Sequence, residues 1–209
     1  MMSATDILYS RQPAERAGTN LVIGFHGYGS SEEKLRALFD FLPENTTLAL
    51  PRGPFDVGGD FGWFLLDYFL TPDFTAVLDA TQKAFTVVDS IIAASSYRSV
   101  SALGYSQGMA MTTTLHRLRP ELFTCVVGLS GFVIRNDLLG ALEPMERKIP
   151  FFWGRDVGDL VINEDAIYWT EEWLEANTQL TARTYPGMGH NLGLTELMDV
   201  QVFLKRYLS

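Results

Sequence analysis

The sequence predicts an α/β fold in which helices cover both faces of a mostly parallel central sheet. Short apolar runs alternate along the chain with longer segments whose apolar residues recur at helical spacing. Nearly continuous apolar runs are typical of strands buried on both faces, and repeated β–α units place such strands parallel in one sheet. Because the 209 residues contain no linker, repeat or low-complexity segment, residues 1–209 are expected to form a single domain.

Each element is predicted from its local pattern. Strands are predicted at short apolar runs, most of which a glycine or a proline ends: 20–25, 47–50, 98–103, 123–129, 150–153 and 180–185. Helices are predicted between them, where helical apolar spacing or a run without glycine and proline is present: 30–39, 74–94, 109–118, 165–176 and 195–208. The first helix should begin at a capping box formed by Ser30 and Glu33. Residues 130–149 leave room for one short helix and no inserted cap domain.

Composition excludes several classes of function. Hydrophobic residues make up 47% of the chain and charged residues 20%, as in a globular protein. The formal net charge of −9, without a cluster of Lys and Arg, argues against nucleic acids and anionic membrane surfaces as partners. Because no signal peptide and no apolar stretch of roughly 20 residues is evident, we expect a cytoplasmic protein without stable membrane insertion. The single cysteine, Cys125, is expected to be a buried small hydrophobe.

The most informative motif is a G-x-S-x-G pattern at residues 104–108, between a predicted strand and a predicted helix. This is the context of a nucleophile elbow, a sharp turn that holds a serine hydroxyl clear of the backbone. The turn strains the backbone at Ser106, and Gly104 and Gly108 allow the strand and the helix to approach closely. A chance Gly-Ser-Gly loop is the alternative. Ser106 is therefore the predicted nucleophile.

A serine nucleophile needs a base and donors for the developing oxyanion. His190 lies in the glycine-rich turn 185–191, directly after the last predicted strand, and is the predicted base; a surface loop histidine is the alternative. The H-G-x-G turn at 26–29 follows the first strand and predicts an oxyanion donor in the backbone N–H of Tyr28. The N–H of Gln107, directly after the nucleophile, is the second predicted donor.

The other histidines are expected to have no part in catalysis. His26 ends the first predicted strand and is expected to be a structural hydrogen-bonding residue, because the turn that follows uses backbone groups. His116 lies within the predicted helix 109–118 and is interpreted as a surface or packed residue.

The acid that orients the base should follow the strand at 150–153. Asp156 and Asp159 are both candidates in the loop that follows. Asp159 is favoured because the apolar residues 160–162 can pack the loop against the core and hold the carboxylate still. The other aspartate is then expected to be a solvated loop residue or a helix cap, and we expect Asp156 to be this bystander.

These motifs resemble those of the phospholipase/carboxylesterase family of small serine hydrolases, which includes bacterial carboxylesterases and acyl-protein thioesterases. The resemblance spans nearly the whole chain and rests on five segments: 25–29, 62–64, 104–108, 152–161 and 186–190. The glutamine of the elbow is fairly specific to this group, whereas H-G-x-G alone is not.

The resemblance implies an α/β-hydrolase fold and a role for each matching residue. The implied roles are nucleophile for Ser106, acid for Asp159, base for His190, and backbone oxyanion donors for Tyr28 and Gln107. This chain departs from the family in having Asp156 where a glycine is usual, which leaves a second carboxylate beside the expected one. The segment around the Trp-Phe motif is also shorter and less polar than usual.

The aromatic segment 54–74 is the predicted cover of the site, since no cap is inserted elsewhere. Trp63, Phe64 and Met188 are the candidate substrate-contacting residues, on the expectation that the aromatic side chains line a groove suited to an acyl chain or a small ester. Packing of these aromatics into the core is an equally weighted alternative.

The sequence thus predicts a carboxylic ester hydrolase that acts on small or acyl-chain substrates through an acyl-enzyme. Acyl-thioester hydrolysis and lysophospholipid hydrolysis are alternatives within enzymes, and a catalytically inactive binding module is the alternative from another class. No metal site and no organic cofactor are predicted, because the chain holds no cluster of His and Cys ligands. The oligomeric state, including a homodimer, stays open.

Overall fold

A computed structural model of the chain describes residues 7–66, 73–141 and 143–208. The strands of this part are β1 (Ile7–Tyr9), β2 (Asn20–Phe25), β3 (Thr46–Pro51), β4 (Phe55–Val57), β5 (Asp60–Gly62), β6 (Val100–Tyr105), β7 (Val126–Leu129), β8 (Pro150–Arg155) and β9 (Gln179–Thr184). The α-helices are α1 (Phe74–Ala93), α2 (Gln107–Leu118), α3 (Asp137–Gly140), α4 (Glu164–Asn177) and α5 (Leu194–Tyr207). Two 3₁₀ helices span Pro13–Glu15 and Glu32–Phe41.

Seven of these strands form one sheet in the order β1-β3-β2-β6-β7-β8-β9. All neighbours from β3 to β9 pair in parallel, and β1 pairs antiparallel with β3 at the edge. The prediction of a mostly parallel sheet is confirmed. Because the strands are parallel, the carboxyl ends of β2, β6, β8 and β9 meet at one edge, where the loops that follow them can converge.

Apolar clusters cover the two faces of the sheet. Side chains of β2 alternate between them, with Leu21 and Ile23 in one cluster and Val22 in the other. The first cluster takes its helical residues from α1, α2 and α4, and the second takes them from α5 and the 3₁₀ helix Glu32–Phe41. Helices therefore cover both faces, as predicted.

The capping box predicted at the first helix is absent. The helix is a 3₁₀ helix that begins at Glu32, and the Ser31 side chain at its N-cap makes no capping hydrogen bond. Glu33 is engaged elsewhere, because Arg36 Nη1 donates to its carboxylate at 3.1 Å. The carboxylate of Glu32 likewise accepts from Arg52 Nε at 2.9 Å. The carboxylates of the first turn therefore form ion pairs with arginines rather than a capping box.

No cap domain separates β7 from β8 in the described residues of that segment. The four-residue α3 is the one helix they form, and Phe132, Val133 and Ile134 are buried in the first apolar cluster. Arg117 of α2 holds the end of the segment, donating from Nε to the Glu143 carboxylate at 2.7 Å. The segment is therefore bound to the side of the sheet that carries α2 and α4.

Among the described residues, no helix is long and apolar enough to cross a membrane. The single domain stays a prediction.

Candidate active site

The predicted elbow lies between β6 and α2. Ser106 has φ 55° and ψ −121°, a left-handed conformation that is strained for a residue with a side chain. A Cβ on Gly104 would overlap the Gly108 carbonyl group, and a Cβ on Gly108 would overlap the carbonyl group of Phe25 in β2. The strand and the helix can therefore close on the serine only because both positions lack side chains.

The structure brings Ser106, Asp159 and His190 together. Ser106 Oγ lies 2.9 Å from His190 Nε2, and Asp159 Oδ2 lies 2.7 Å from His190 Nδ1. The serine and the aspartate are each 8% exposed. Their backbone positions follow β6, β8 and β9, so the three side chains meet at the carboxyl edge of the sheet.

These contacts define the proton positions on the imidazole. An ionised carboxylate can only accept hydrogen bonds, so Nδ1 of His190 carries the proton and donates a hydrogen bond to Asp159. Nε2 is then the acceptor for the hydroxyl of Ser106. Asp159 is itself held, because its Oδ1 accepts the Val161 N–H at 2.8 Å. The arrangement has the geometry that general-base activation of a serine requires.

The turn predicted to supply an oxyanion donor packs directly against the serine. A Cβ on Gly27 would lie 3.2 Å from the Ser106 Cβ, so the residue before Tyr28 is in close contact with the nucleophile candidate. Gln107 is the first residue of α2, and its backbone N–H belongs to the positive end of that helix. Gly27 and Gln107 are therefore both next to Ser106, and Tyr28 follows Gly27 in the chain.

His26 fastens this turn. The N–H of Gly53 donates to His26 Nε2 at 2.8 Å, which leaves the proton on Nδ1, and Nδ1 donates to the Gly27 carbonyl oxygen at 2.8 Å. Trp63 Nε1 donates to the His26 carbonyl oxygen at 2.9 Å. The ring is fully buried, and this burial lowers the pKa of His26, so the neutral form is favoured. The structural role expected for His26 agrees with these bonds.

The side chain of Gln107 has a function that sequence reasoning missed. Its Oε1 accepts the Trp63 N–H at 2.9 Å and its Nε2 donates to the Phe64 carbonyl oxygen at 2.8 Å. The buried amide thus attaches the segment after β5 to the elbow through both of its polar groups. The joint presence of the elbow glutamine and the Trp-Phe pair was a possible signal, but neither residue predicts the contact locally.

The substrate-contacting role assigned to Trp63 and Phe64 needs correction. Each is 2% exposed and belongs to the first apolar cluster, with the Trp63 ring centroid 4.9 Å from that of Phe25. Their side chains pack in the core, because the backbone of this segment is bound to Gln107 and the indole N–H to His26. Met188 is half-buried beside Gly193. Tyr68 and Phe69 of the aromatic segment lie outside the described residues.

Asp156 is not the solvated bystander that was expected. It is 3% exposed, and its Oδ2 accepts the Gly189 N–H at 2.7 Å while its Oδ1 accepts the Gly158 N–H at 2.9 Å. These bonds, with that from Gly158 first, hold the pKa of the Asp156 carboxyl below its usual range. Arg155 donates to the Asp156 carbonyl oxygen at 3.5 Å, and no ion pair to the carboxylate is present among the described contacts. The carboxylate therefore acts as a hydrogen-bond acceptor for backbone N–H groups of two loops.

The remaining titratable groups considered from the sequence are buried away from these contacts. His116 is fully buried in α2, and burial lowers its pKa to about 4. Cys125 is also fully buried, and burial raises the pKa of its thiol to about 11. Within residues 7–66, 73–141 and 143–208, no group of three or more His, Cys, Asp or Glu side chains is arranged to hold a metal ion.

A strained serine between a strand and a helix, with an aspartate and then a histidine supplied later in the chain at the same sheet edge, defines the α/β-hydrolase class. The chain belongs to the phospholipase/carboxylesterase family, whose sequence profile matches residues 10–208. The resemblance seen in the motifs and the prediction of a carboxylic ester hydrolase are confirmed.

Individual relatives agree with this assignment. Acyl-protein thioesterase 1 of Kluyveromyces lactis is 25% identical over 230 residues, which cover 100% of this chain and 99% of that protein. Carboxylesterase SOBER1 of Arabidopsis thaliana is 25% identical over 206 residues, which cover 90% of each chain. The crystal structure of SOBER1 matches with a TM-score of 0.79 at 24% identity, over 92% of this chain and 100% of that chain. The Bacillus cereus carboxylesterase structure matches with a TM-score of 0.79 at 16% identity, over 96% and 93% of the chains.

Proposed function

We propose that this protein hydrolyses carboxylic esters of small or acyl-chain substrates through an acyl-enzyme, with Ser106, His190 and Asp159 as its catalytic triad. The observation that carries the proposal is the continuous chain of hydrogen bonds from Asp159 through the imidazole to the Ser106 hydroxyl, at 2.7 and 2.9 Å. The strained conformation of Ser106, which holds the hydroxyl clear of the backbone at the end of a strand, supports it further.

The reaction begins when Ser106 Oγ attacks the carbonyl carbon of the ester. His190 Nε2 takes the hydroxyl proton, and Asp159 stabilises the resulting imidazolium through Nδ1. The backbone N–H groups of Tyr28 and Gln107 stabilise, by hydrogen bonds, the negative charge that develops on the carbonyl oxygen. His190 returns the proton to the leaving alkoxide as the tetrahedral intermediate collapses to the acyl-enzyme. Water, activated by the same imidazole, then releases the acid and restores the serine.

A labelling experiment tests the triad. The wild-type protein, Ser106→Ala, His190→Ala and the control Ser90→Ala are treated with a fluorophosphonate and assayed on a short p-nitrophenyl ester. Ser90 lies near the end of α1, which leads to the amino end of β6, whereas Ser106 follows the carboxyl end of that strand. We expect labelling at Ser106 alone and loss of hydrolysis by orders of magnitude in Ser106→Ala and His190→Ala, with Ser90→Ala unchanged. Substantial hydrolysis by Ser106→Ala would refute the nucleophile, and absence of labelling and hydrolysis in the wild type would favour an inactive binding module.

Thioester hydrolysis is the second candidate reaction. It is favoured by the full-length similarity to the protein named acyl-protein thioesterase 1, which covers 100% of this chain. The triad would act in the same way on a thioester, with a thiolate as the leaving group. Rates on an oxygen ester and a thioester with the same acyl chain, measured across chain lengths, decide between the two. The cytoplasmic location and the lack of nucleic-acid partners stay predictions.

A further inference from the structure

We propose that Asp156 and Tyr105 are positioning residues that hold the backbone of His190 in register with the other members of the triad. The segment concerned is the histidine loop, defined as residues 185–191 between β9 and α5. The proposal rests on the proposed function, because it matters only if His190 is the base. It assigns a purpose to a buried carboxylate and a buried hydroxyl that the reaction itself does not use.

The histidine loop is not positioned by packing of its glycines. Gly187 and Gly189 have φ 83° and 62°, and a Cβ on either would meet no atom within 4 Å. These glycines permit the left-handed turns of the loop, and a side chain at either position would not be packed. The loop also follows β9, an edge strand of which most residues are exposed. Tyr185 packs against the second apolar cluster at the start of the loop, whereas the backbone next to His190 is held by hydrogen bonds.

Asp156 supplies the first of these bonds. Its Oδ2 accepts the Gly189 N–H at 2.7 Å, immediately before His190 in the chain. The N–H groups of Gly187 and Met188 also act on the same carboxylate and contribute to its lowered pKa. The Met188 N–H itself donates to the Tyr185 carbonyl oxygen at 3.2 Å, so the Gly189 N–H is the direct hydrogen-bond donor from this loop to Asp156.

The place of Asp156 in the chain connects the histidine loop to the acid of the triad. Asp156 directly follows β8, and its second oxygen accepts the Gly158 N–H at 2.9 Å, one residue before Asp159. One carboxylate thus bonds to the backbone on both sides of the Asp159–His190 contact. A shift of the histidine loop away from Asp159 would have to break a charge-assisted hydrogen bond in a site that water barely reaches.

Tyr105 supplies the second bond, from the other side of the histidine. Its hydroxyl donates to the His190 carbonyl oxygen at 2.8 Å. Burial raises the pKa of Tyr105 to about 12, which keeps the hydroxyl protonated and able to donate. Tyr105 is the last residue of β6 and is bonded to Ser106. Asp156 therefore bonds to the N–H of the residue before His190, and Tyr105 bonds to the carbonyl oxygen of His190 itself. Tyr105 directly precedes Ser106 in the chain, and Asp156 lies in the same loop as Asp159.

The catalytic consequence follows from the tolerances of the triad. The imidazole must stay within hydrogen-bond distance of Ser106 and Asp159 at once, at 2.9 and 2.7 Å. A misplacement of reacting groups by about 1 Å can lower the rate about 100-fold. Loss of either anchor would leave the fold intact but allow the histidine loop to sample such displacements.

The test counts active sites separately from turnover. Asp156→Asn keeps the side-chain shape but places an amide against converging N–H groups, and Tyr105→Phe removes only the hydroxyl. Matched controls are Asp73→Asn, an aspartate that accepts the Thr75 N–H at the start of α1, and Tyr168→Phe, an exposed tyrosine. Each variant is titrated with a fluorophosphonate, so that kcat is expressed per labelled site, and kcat, KM and Tm are measured on a soluble p-nitrophenyl ester well below Tm.

We expect Asp156→Asn to lower kcat per labelled site by about tenfold or more and Tyr105→Phe by about three- to tenfold. KM should change by less than about threefold, and the controls should match the wild type. A merely structural role would lower Tm and the labelled fraction but leave kcat per labelled site unchanged, so a decrease of less than about threefold in Asp156→Asn would overturn the proposal. If Asp156→Asn does not fold, Tyr105→Phe decides by the same readout, and an unchanged kcat overturns it. Failure of the proposed function would look different, since the wild type would then show no hydrolysis or His190→Ala would retain it.

Discussion

The serine side of the site, from β2 to the start of α2, and the histidine side, from β9 to α5, both depend on glycines, but for different physical reasons. On the serine side, a Cβ on Gly104 or Gly108 would overlap backbone carbonyl groups of neighbouring elements. On the histidine side, a Cβ on Gly187 or Gly189 would meet nothing within 4 Å, but both residues have positive φ. The first pair of glycines makes room, and the second pair permits a backbone conformation.

This difference indicates how each side achieves its precision. The elbow is fixed by close packing of backbone on backbone, which deforms little because protein interiors are dense. The histidine loop has no such packing at its glycines and is held by polar bonds from Asp156 and Tyr105. Substitutions should therefore act on the two sides through different mechanisms and with different magnitudes.

The largest effect is expected from a methyl group on the serine side. In Gly108→Ala the added carbon overlaps the Phe25 carbonyl group, so α2 must move away from β2 and take the elbow with it. We expect a loss of about 3 kcal/mol in the free energy of unfolding and at least about a 100-fold loss of kcat/KM. Urea unfolding and ester hydrolysis measure the two. The control is Gly140→Ala in α3, where the new carbon meets nothing within 4 Å and little change is expected. Wild-type activity in Gly108→Ala would remove the packing argument.

Glu196, in the helix that follows the histidine loop, gives the histidine side a dependence of stability on pH. It is fully buried in the first turn of α5, and burial raises its pKa from 4.5 to about 7, against an opposing contribution from the Gly193 N–H. The titratable groups it acts on are Tyr105 and Tyr185, whose pKa values it helps to raise. The folded state therefore prefers the protonated carboxyl, and this contribution to stability is complete below pH 4.5 and is lost as pH rises through 7.

The neutral isostere Glu196→Gln should escape this loss. Relative to the wild type, its free energy of unfolding should gain about 3 kcal/mol between pH 4.5 and 8, because each tenfold difference in proton affinity between the folded and unfolded states corresponds to about 1.4 kcal/mol. Urea unfolding of both proteins at several pH values from 4.5 to 8 measures the difference. Glu175→Gln, at an exposed position of α4, is the control and should follow the wild type. Parallel curves for wild type and Glu196→Gln would show that the buried carboxyl does not titrate in this range.

Much of the fold could be predicted because its signals are local. The strand predicted at 20–25 has the bounds of β2, since a buried parallel strand is a continuous apolar run. Strand β1 was missed because its three residues are only half-buried. It forms by pairing with β3, and no local sequence pattern predicts that pairing. The hairpin of β4 and β5 was missed because each strand has only three residues.

The site divides in the same way. Ser106 and His190 could be predicted because each lies in a glycine pattern next to a strand. The partners of Asp156 and Tyr105 are 33 and 85 residues away in the chain, so their bonds to the histidine loop appear only in three dimensions. Asp156 was judged a bystander from the sequence of its own loop, whereas the Gly189 N–H that gives it a role comes from the loop after β9. Burial of a polar side chain depends on tertiary contacts, and neither Trp63 nor Asp156 carries a local signal for it.

The smallest effect is expected from a methyl group on the histidine side. In Gly189→Ala nothing obstructs the new carbon, but φ is 62°, so the variant should lose only about 1 kcal/mol in the free energy of unfolding. Gly18→Ala is a closely matched control, since Gly18 has φ 75°, open space around its Cα, and a backbone N–H that donates to Ser96 at 2.8 Å. Both variants should show the same loss of stability by urea unfolding. Only Gly189→Ala should lower kcat/KM, by about tenfold, because relief of its strain shifts the N–H that Asp156 holds and moves His190 with it. Equal activities in the two variants would show that the histidine loop tolerates this shift. The bonds from Asp156 and Tyr105 would then not determine the position of His190.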